Sequence, residues 1–170
     1  GDHHGRPAVV FPLQDLDACK NSYENIFLGQ ELRRGPFLDR RRMAQEAGAL
    51  LQQLEIVIPD LTVPVRVLSG GQRQGVAIAR AMRKPGSVLL LDEPTAAMGI
   101  RESHQTMALL HRLHQAGHTL LLVSHDIYQV FDLADRIYVM RAGRCIADIW
   151  AKEYSPEALH RLISQREEGV

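Results

Sequence analysis

The chain has 170 residues, 45% of them hydrophobic, and its 20 Lys and Arg balance 20 Asp and Glu to a formal net charge of zero. That is chain enough for one soluble globular unit with a core of its own, and the balance argues against a large polyanion as partner. The longest apolar runs, such as Val88 to Leu91 and Leu120 to Val123, are strand-sized and far below the ~20 residues a membrane-spanning helix needs, so membrane association has to come through a partner.

Gly1 stands where an initiator Met would, and residues 1–7 lack the basic start and apolar stretch of a secretory signal, so we expect a cut from a longer protein. Ala8 to Phe11 is a short apolar run ended by Pro12, which predicts a strand, and Gln14 to Ser22 reads as a polar, turn-like stretch. Cys19 and Cys145 are the only cysteines and sit in unlike contexts, which suits a reducing compartment such as the cytosol. Asp39 caps a predicted helix to about Glu55, with Met43, Ala47, Leu50, Leu51 and Leu54 at helical spacing and Arg40, Arg41, Arg42 and Glu46 on the wet side. Pro59 and Pro64 then break the chain.

Gln72 to Met82 is rich in Ala, Arg and Gln and predicts a helix with glycines at its mouth. Ser87 to Leu91 predicts a strand, Arg101 to Ala116 a helix, Thr119 to Val123 a strand and Ile127 to Leu133 a short helix. Such alternation argues for a parallel sheet covered on both faces. Residues 136–140 and 145–149 flank Arg141-Ala142-Gly143-Arg144 as a hairpin whose Gly supplies positive φ. Ser155-Pro156 starts a last helix, with Leu159, Leu162 and Ile163 on one face.

Asp92 and Glu93 stand at the carboxyl end of an apolar strand, the edge where open α/β sheets bind ligands. Asp92 could hold Mg²⁺, and Glu93 could orient or deprotonate a water that attacks phosphate. Asp92, Glu93 and Pro94 would equally serve as a plain helix start. Ser124-His125-Asp126 follows the next strand and delivers His125 to the same edge, able to donate a hydrogen bond to a phosphate oxygen. These three neighbours in sequence cannot stack into a catalytic relay, and a lone His here also has a structural reading. Leu68-Ser69-Gly70-Gly71-Gln72 leaves backbone N–H groups uncovered where a helix begins, an anion site, although a Gly pair alone can also be a tight turn.

In this order the three segments resemble the nucleotide-binding subunit of ABC transporters: Leu68 to Gln72 the signature, Leu89 to Glu93 the Walker B strand, His125 the switch histidine. Residues 24–29, 71–81 and 92–99 are similar to the ATPases of ribose- and xylose-type sugar importers. The resemblance implies an α/β fold, a partial P-loop NTPase (RecA-like) parallel sheet with an inserted helical signature subdomain. Residues 1–14 and 84–170 would form the ATPase core with its C-terminal hairpin and helix, and 15–83 the helical subdomain. It implies ATP and Mg²⁺, with Leu68, Ser69, Gly70, Gly71 and Gln72 at the nucleotide, Asp92 and Gln14 at the metal directly or through water, and Glu93 and His125 in hydrolysis.

Its implied partners are a second ATP-binding unit arranged head to tail, transmembrane permease subunits and, indirectly, a periplasmic or extracellular sugar-binding protein. No nucleic acid is implied, and the place is the inner face of the plasma membrane. Departures matter too. No GxxxxGKS/T loop occurs in the sequence, so the chain alone is expected to bind ATP weakly and to be inactive. Gln14 as the Q-loop glutamine sits two residues late after Phe11, and a plain loop residue is the other reading. Gly99 replaces the usual D-loop Asp, a trait of the sugar-importer subgroup. His111, His114 and His118 approach metal-site spacing without a carboxylate and read as a solvated face. A degenerate ABC module with a regulatory or nucleic-acid and ribosome-clamping role is the competing reading, but neither sustained heptads nor a basic stripe favours it.

Overall fold

A computed structural model describes residues 8–9, 16–83 and 88–165 of the chain. Two compact units divide it, Gly1–Val123 and Ser124–Val170.

In the first unit, β1 (Ala8–Val9), β4 (Val88–Asp92) and β5 (Thr119–Val123) form a parallel sheet in the order β1-β4-β5. Leu89 pairs with Leu120 and Asp92 with Val123, so β4 and β5 finish at one edge. Leu89 and Leu91 are buried, whereas Leu121 and Val123 on the alternate face are 52% and 56% exposed. Among the described residues, the cover on both faces expected from the alternation of elements is incomplete at β5.

Four helices accompany this sheet: α1 (Ser22–Ile26), α2 (Arg40–Gln53), α3 (Gly70–Met82) and α4 (Ile100–Gln115), with a small hairpin of β2 (Arg33–Arg34) and β3 (Phe37–Leu38) between α1 and α2. Helix α1 begins inside the stretch expected to be turn-like. Its start is a capping box: the Asn21 side chain accepts the Glu24 N–H while the Glu24 carboxylate accepts the Asn21 N–H. Asn25, fully buried, donates its amide to the Asp17, Lys20 and Asn21 carbonyls at 3.0–3.2 Å and accepts the Asp17 N–H at 2.8 Å. One side chain thus folds the preceding loop onto the helix.

Asp39 caps α2 as the sequence predicts, accepting the Arg42 N–H, and Met43, Ala47 and Leu51 are buried. The helix stops with Glu55 at φ 55°, where the Glu55 and Ile56 N–H groups bond the Gln52 and Leu51 carbonyls. Arg112 of α4 donates to the Leu54 carbonyl at 3.0 Å and approaches Glu55 at 3.5 Å, tying this end down. Gly117, φ 89°, stops α4 in the same way, with Gly117 and His118 N–H bonding His114 and Leu113 carbonyls. His118 therefore lies beyond the helix that carries His111 and His114.

The second unit contains α5 (Ile127–Leu133), β6 (Arg136–Arg141), β7 (Arg144–Trp150) and α6 (Pro156–Gln165). Strands β6 and β7 pair antiparallel around a turn in which Ala142 as well as Gly143 has positive φ, 45° and 73°. That double left-handed turn matches the twist of a tight hairpin. One hairpin face buries Ile137 and Ile149 with Leu159 of α6, against Val130 and Phe131 of α5. On the other, Arg136 makes two hydrogen bonds to Asp148, at 2.8 and 2.7 Å, and stands 5.4 Å from the Trp150 ring centre.

Asn25→Ala leaves three carbonyls and the Asp17 N–H without their partner and is expected to destabilise by about 2–4 kcal/mol in urea unfolding; less than about 0.5 kcal/mol would contradict the role given to Asn25. The Arg136 guanidinium holds the Asp148 carboxyl below its ordinary value of 3.8. A depressed carboxylate stabilises above its unfolded value and loses that contribution as pH falls through the folded one, so the destabilisation by Arg136→Ala is expected in full above about pH 4 and to fade below it. Fluorescence of Trp150, the chain's one tryptophan, reports it.

Candidate functional site

Two segments of the first unit hold most of the predicted site residues. The first is the start of α3, which takes in both glycines: Ser69 is the cap, accepting the Gln72 N–H at 3.3 Å, and the Gln72 side chain accepts the Ser69 N–H at 3.0 Å. Gln72 also donates to the Val57 carbonyl, and Arg73 to the Leu68 carbonyl, which locks Leu68 to Gln72 as one piece. Among the described residues nothing accepts the Gly70 or Gly71 N–H, so two donors at the positive end of a 13-residue helix remain for an anion.

Neither glycine has positive φ, so conformation does not require them. Space is tight only at Gly70: a Cβ there would lie 3.2 Å from Glu102 Oε2 and 3.3 Å from Met98 Cγ, both atoms of flexible side chains, while one on Gly71 would make ordinary contact at 3.4 Å with Glu102 Cβ. The first turn of α4 is thus seated directly on the first turn of α3. Met98 figured in the sequence only within the stretch 92–99 and Glu102 not at all, since a contact across some 30 residues leaves no local pattern.

The second segment is the turn from β4 to α4. Asp92, the last residue of β4, is exposed, and the Glu93 N–H donates to the Val123 carbonyl at 2.9 Å. Glu93 and Ala97 have φ of 46° and 58°, a left-handed backbone at two non-glycine residues within five positions. Strain of this kind, about 1–3 kcal/mol at each residue, collects at sites where a side chain must be aimed. Gly99 caps α4 with ordinary φ, and a Cβ there would meet nothing within 4 Å, so neither shape nor space demands glycine in place of the D-loop Asp.

Asp126 caps α5 by accepting the Tyr128 and Gln129 N–H groups, and the Ser124 hydroxyl accepts the Asp126 N–H. Both neighbours of His125 thus have local structural work, and exposed His125 lies in the second unit. Gln14 lies outside the described residues.

The sequence profile described as ABC transporter matches residues 3–96, more than half of the chain. The chain belongs to the ABC transporter family. Among family members it is similar to the xylose/arabinose import ATP-binding protein XylG of Sulfolobus acidocaldarius, 43% identical over 142 residues that make up 84% of this chain and 57% of that protein. It is 40% identical over 155 residues to the fructose import ATP-binding protein FrcA of Rhizobium meliloti, covering 86% of this chain and 60% of that one. Against the ribose import ATP-binding protein RbsA 2 of Burkholderia cenocepacia the identity is 34%, over 97% of this chain and 33% of the relative. The chain therefore spans between a third and three-fifths of the length of these family relatives.

Solved ABC structures of similar fold include the ATP-binding cassette MJ0796 in a dimeric post-hydrolysis state bound to ADP and Pi, with TM-score 0.69 and 26% identity over 87% of this chain and 64% of that one. CbiO1 from Clostridium perfringens, part of the transporter complex cbiONQ, matches with TM-score 0.68 and 27% identity over 94% of this chain and 62% of that one. The expected partial P-loop NTPase fold with parallel strands is the fold of these family members.

Because Glu93 is held left-handed, Glu93→Gly is expected to leave unfolding free energy unchanged or to raise it by up to about 1 kcal/mol, whereas Glu93→Val lowers it by about 1–2 kcal/mol. Equal destabilisation by both substitutions in urea melts would contradict a strained site.

Proposed function

We propose that the chain supplies the signature and Walker B portion of an ATP-binding subunit that energises sugar import. The observation that carries this reading is the α3 start, where the capping Ser69 and two N–H donors that nothing among the described residues accepts lie beside Met98 and Glu102, at the end of the turn that follows Asp92 and Glu93. Relatives named for xylose, fructose and ribose import support the sugar class.

On this reading Ser69 and Gly71 grip the γ-phosphate of ATP held by a second ATP-binding unit, in a head-to-tail pair, with Leu68, Gly70 and Gln72 holding the loop in shape. Asp92 and Glu93 serve the opposite site: Asp92 as metal ligand, Glu93 orienting the attacking water, His125 donating to a phosphate oxygen. Among the described residues no group of three or more metal-ligating side chains occurs. One exposed carboxylate completed by waters and phosphate oxygens, with Gln14 as a further oxygen ligand, suits Mg²⁺, which keeps several waters and would neutralise phosphate charge. The 170 residues hold no P-loop sequence, so the grip on the β-phosphate comes from outside them. Closure of the pair would drive transmembrane permease subunits at the inner face of the plasma membrane, with a sugar-binding protein acting through the permease.

The test mixes the chain with an intact sugar-import ATP-binding protein whose own signature has been disabled. Restored ATP turnover, lost with Gly71→Asp but retained with Glu93→Gln, is expected, while the chain alone shows no ATP binding by calorimetry tighter than about millimolar. Micromolar binding by the chain alone, or rescue that depends on Glu93 and not on Gly71, would overturn the assignment.

A further inference from the structure

In a chain of zero net charge, five of the ten residues from 33 to 42 are arginine, and the single acid among them, Asp39, is occupied as the cap of α2. Arg42 pairs with Glu46 at 2.8 Å and Arg40 reaches Glu24 at 3.8 Å, but Arg33, Arg34 and Arg41 have no ion pair among the described residues. All six residues of the β2–β3 hairpin are exposed, and Phe37, beside the turn at Gly35 and Pro36, is 76% exposed.

The register is informative. Arg34 lies opposite Phe37 and Arg33 opposite Leu38, so each face of the hairpin carries one guanidinium and one apolar side chain. A tip that is cationic and apolar on both faces suits a medium that surrounds it, with phosphates above and acyl chains below.

We propose that the β2–β3 hairpin and the first turn of α2 form a contact site for anionic phospholipid headgroups. Arg33, Arg34 and Arg41 engage phosphates, for which the planar guanidinium is well shaped, and Phe37 and Leu38 enter the headgroup boundary. This contact is direct and independent of the nucleotide chemistry, so the chain reaches a bilayer through more than its permease.

The chain is sedimented with vesicles of 30% phosphatidylglycerol in phosphatidylcholine and with pure phosphatidylcholine. Binding to the anionic vesicles alone is expected, reduced at least about five-fold by Arg33→Glu with Arg34→Glu, by Phe37→Ser, and by raising salt from 0.1 to 0.5 M. These positions are exposed, so melting temperatures stay unchanged. As a second reading, Phe37→Trp in a Trp150→Phe background shifts its emission to the blue on anionic vesicles. No preference for anionic vesicles, binding indifferent to Phe37 or no blue shift would overturn the proposal, as would equal affinity for single-stranded RNA with the same loss on Arg33→Glu and Arg34→Glu, the mark of a general polyanion patch.

Discussion

The arrangement depends on how closely two helix starts approach. The first turn of α4 sits on the first turn of α3, with Glu102 and Met98 packed 3.2–3.4 Å from where a Cβ on Gly70 or Gly71 would stand. Nothing among the described residues accepts the N–H groups of the same two glycines, so on the reading proposed above the start of α3 both packs on α4 and faces the phosphate.

The rest of the first unit holds that seat in place. Arg73 and Gln72 clamp the signature to Leu68 and Val57, while Arg112, from the far end of α4, clamps the end of α2 at Leu54 and Glu55. The buried amide of Asn25 anchors the loop that leads into α1. Interior Gly75 completes the pattern: a Cβ there would stand 2.7 Å from Ile56 Cγ2, so α3 lies tight against the segment that follows α2.

Much of this was legible beforehand because it is written locally. Asp39, Gly117 and Ser155 announce helix ends by their own chemistry, and the apolar runs 88–91 and 119–123 became strands β4 and β5 within a residue, whereas α3 starts two residues earlier than the sequence implied, with Ser69 as its cap. The order of the signature, the Walker B strand and the His after β5 pointed to the family that the profile match then showed. What was missed depends on partners distant in sequence or on unexpected backbone. Helix α1 is five residues long and rests on a capping box inside a polar stretch; the β2–β3 hairpin has two residues per strand and no alternation to read. Left-handed Glu55, Glu93, Ala97 and Ala142 carry no glycine to announce them, and the half-open face of β5 at Leu121 and Val123 looks, in sequence, like a fully buried strand.

The central claim is that this signature acts across an interface on nucleotide held by another unit. The most direct measurement is sedimentation velocity of the chain with a sugar-import ATP-binding protein made unable to hydrolyse ATP by replacement of its catalytic glutamate. ATP-dependent formation of a one-to-one complex, abolished by Gly71→Asp in this chain and unaffected by Glu93→Gln, is the result the account predicts. A complex that forms equally without ATP, or that ignores Gly71, would contradict it.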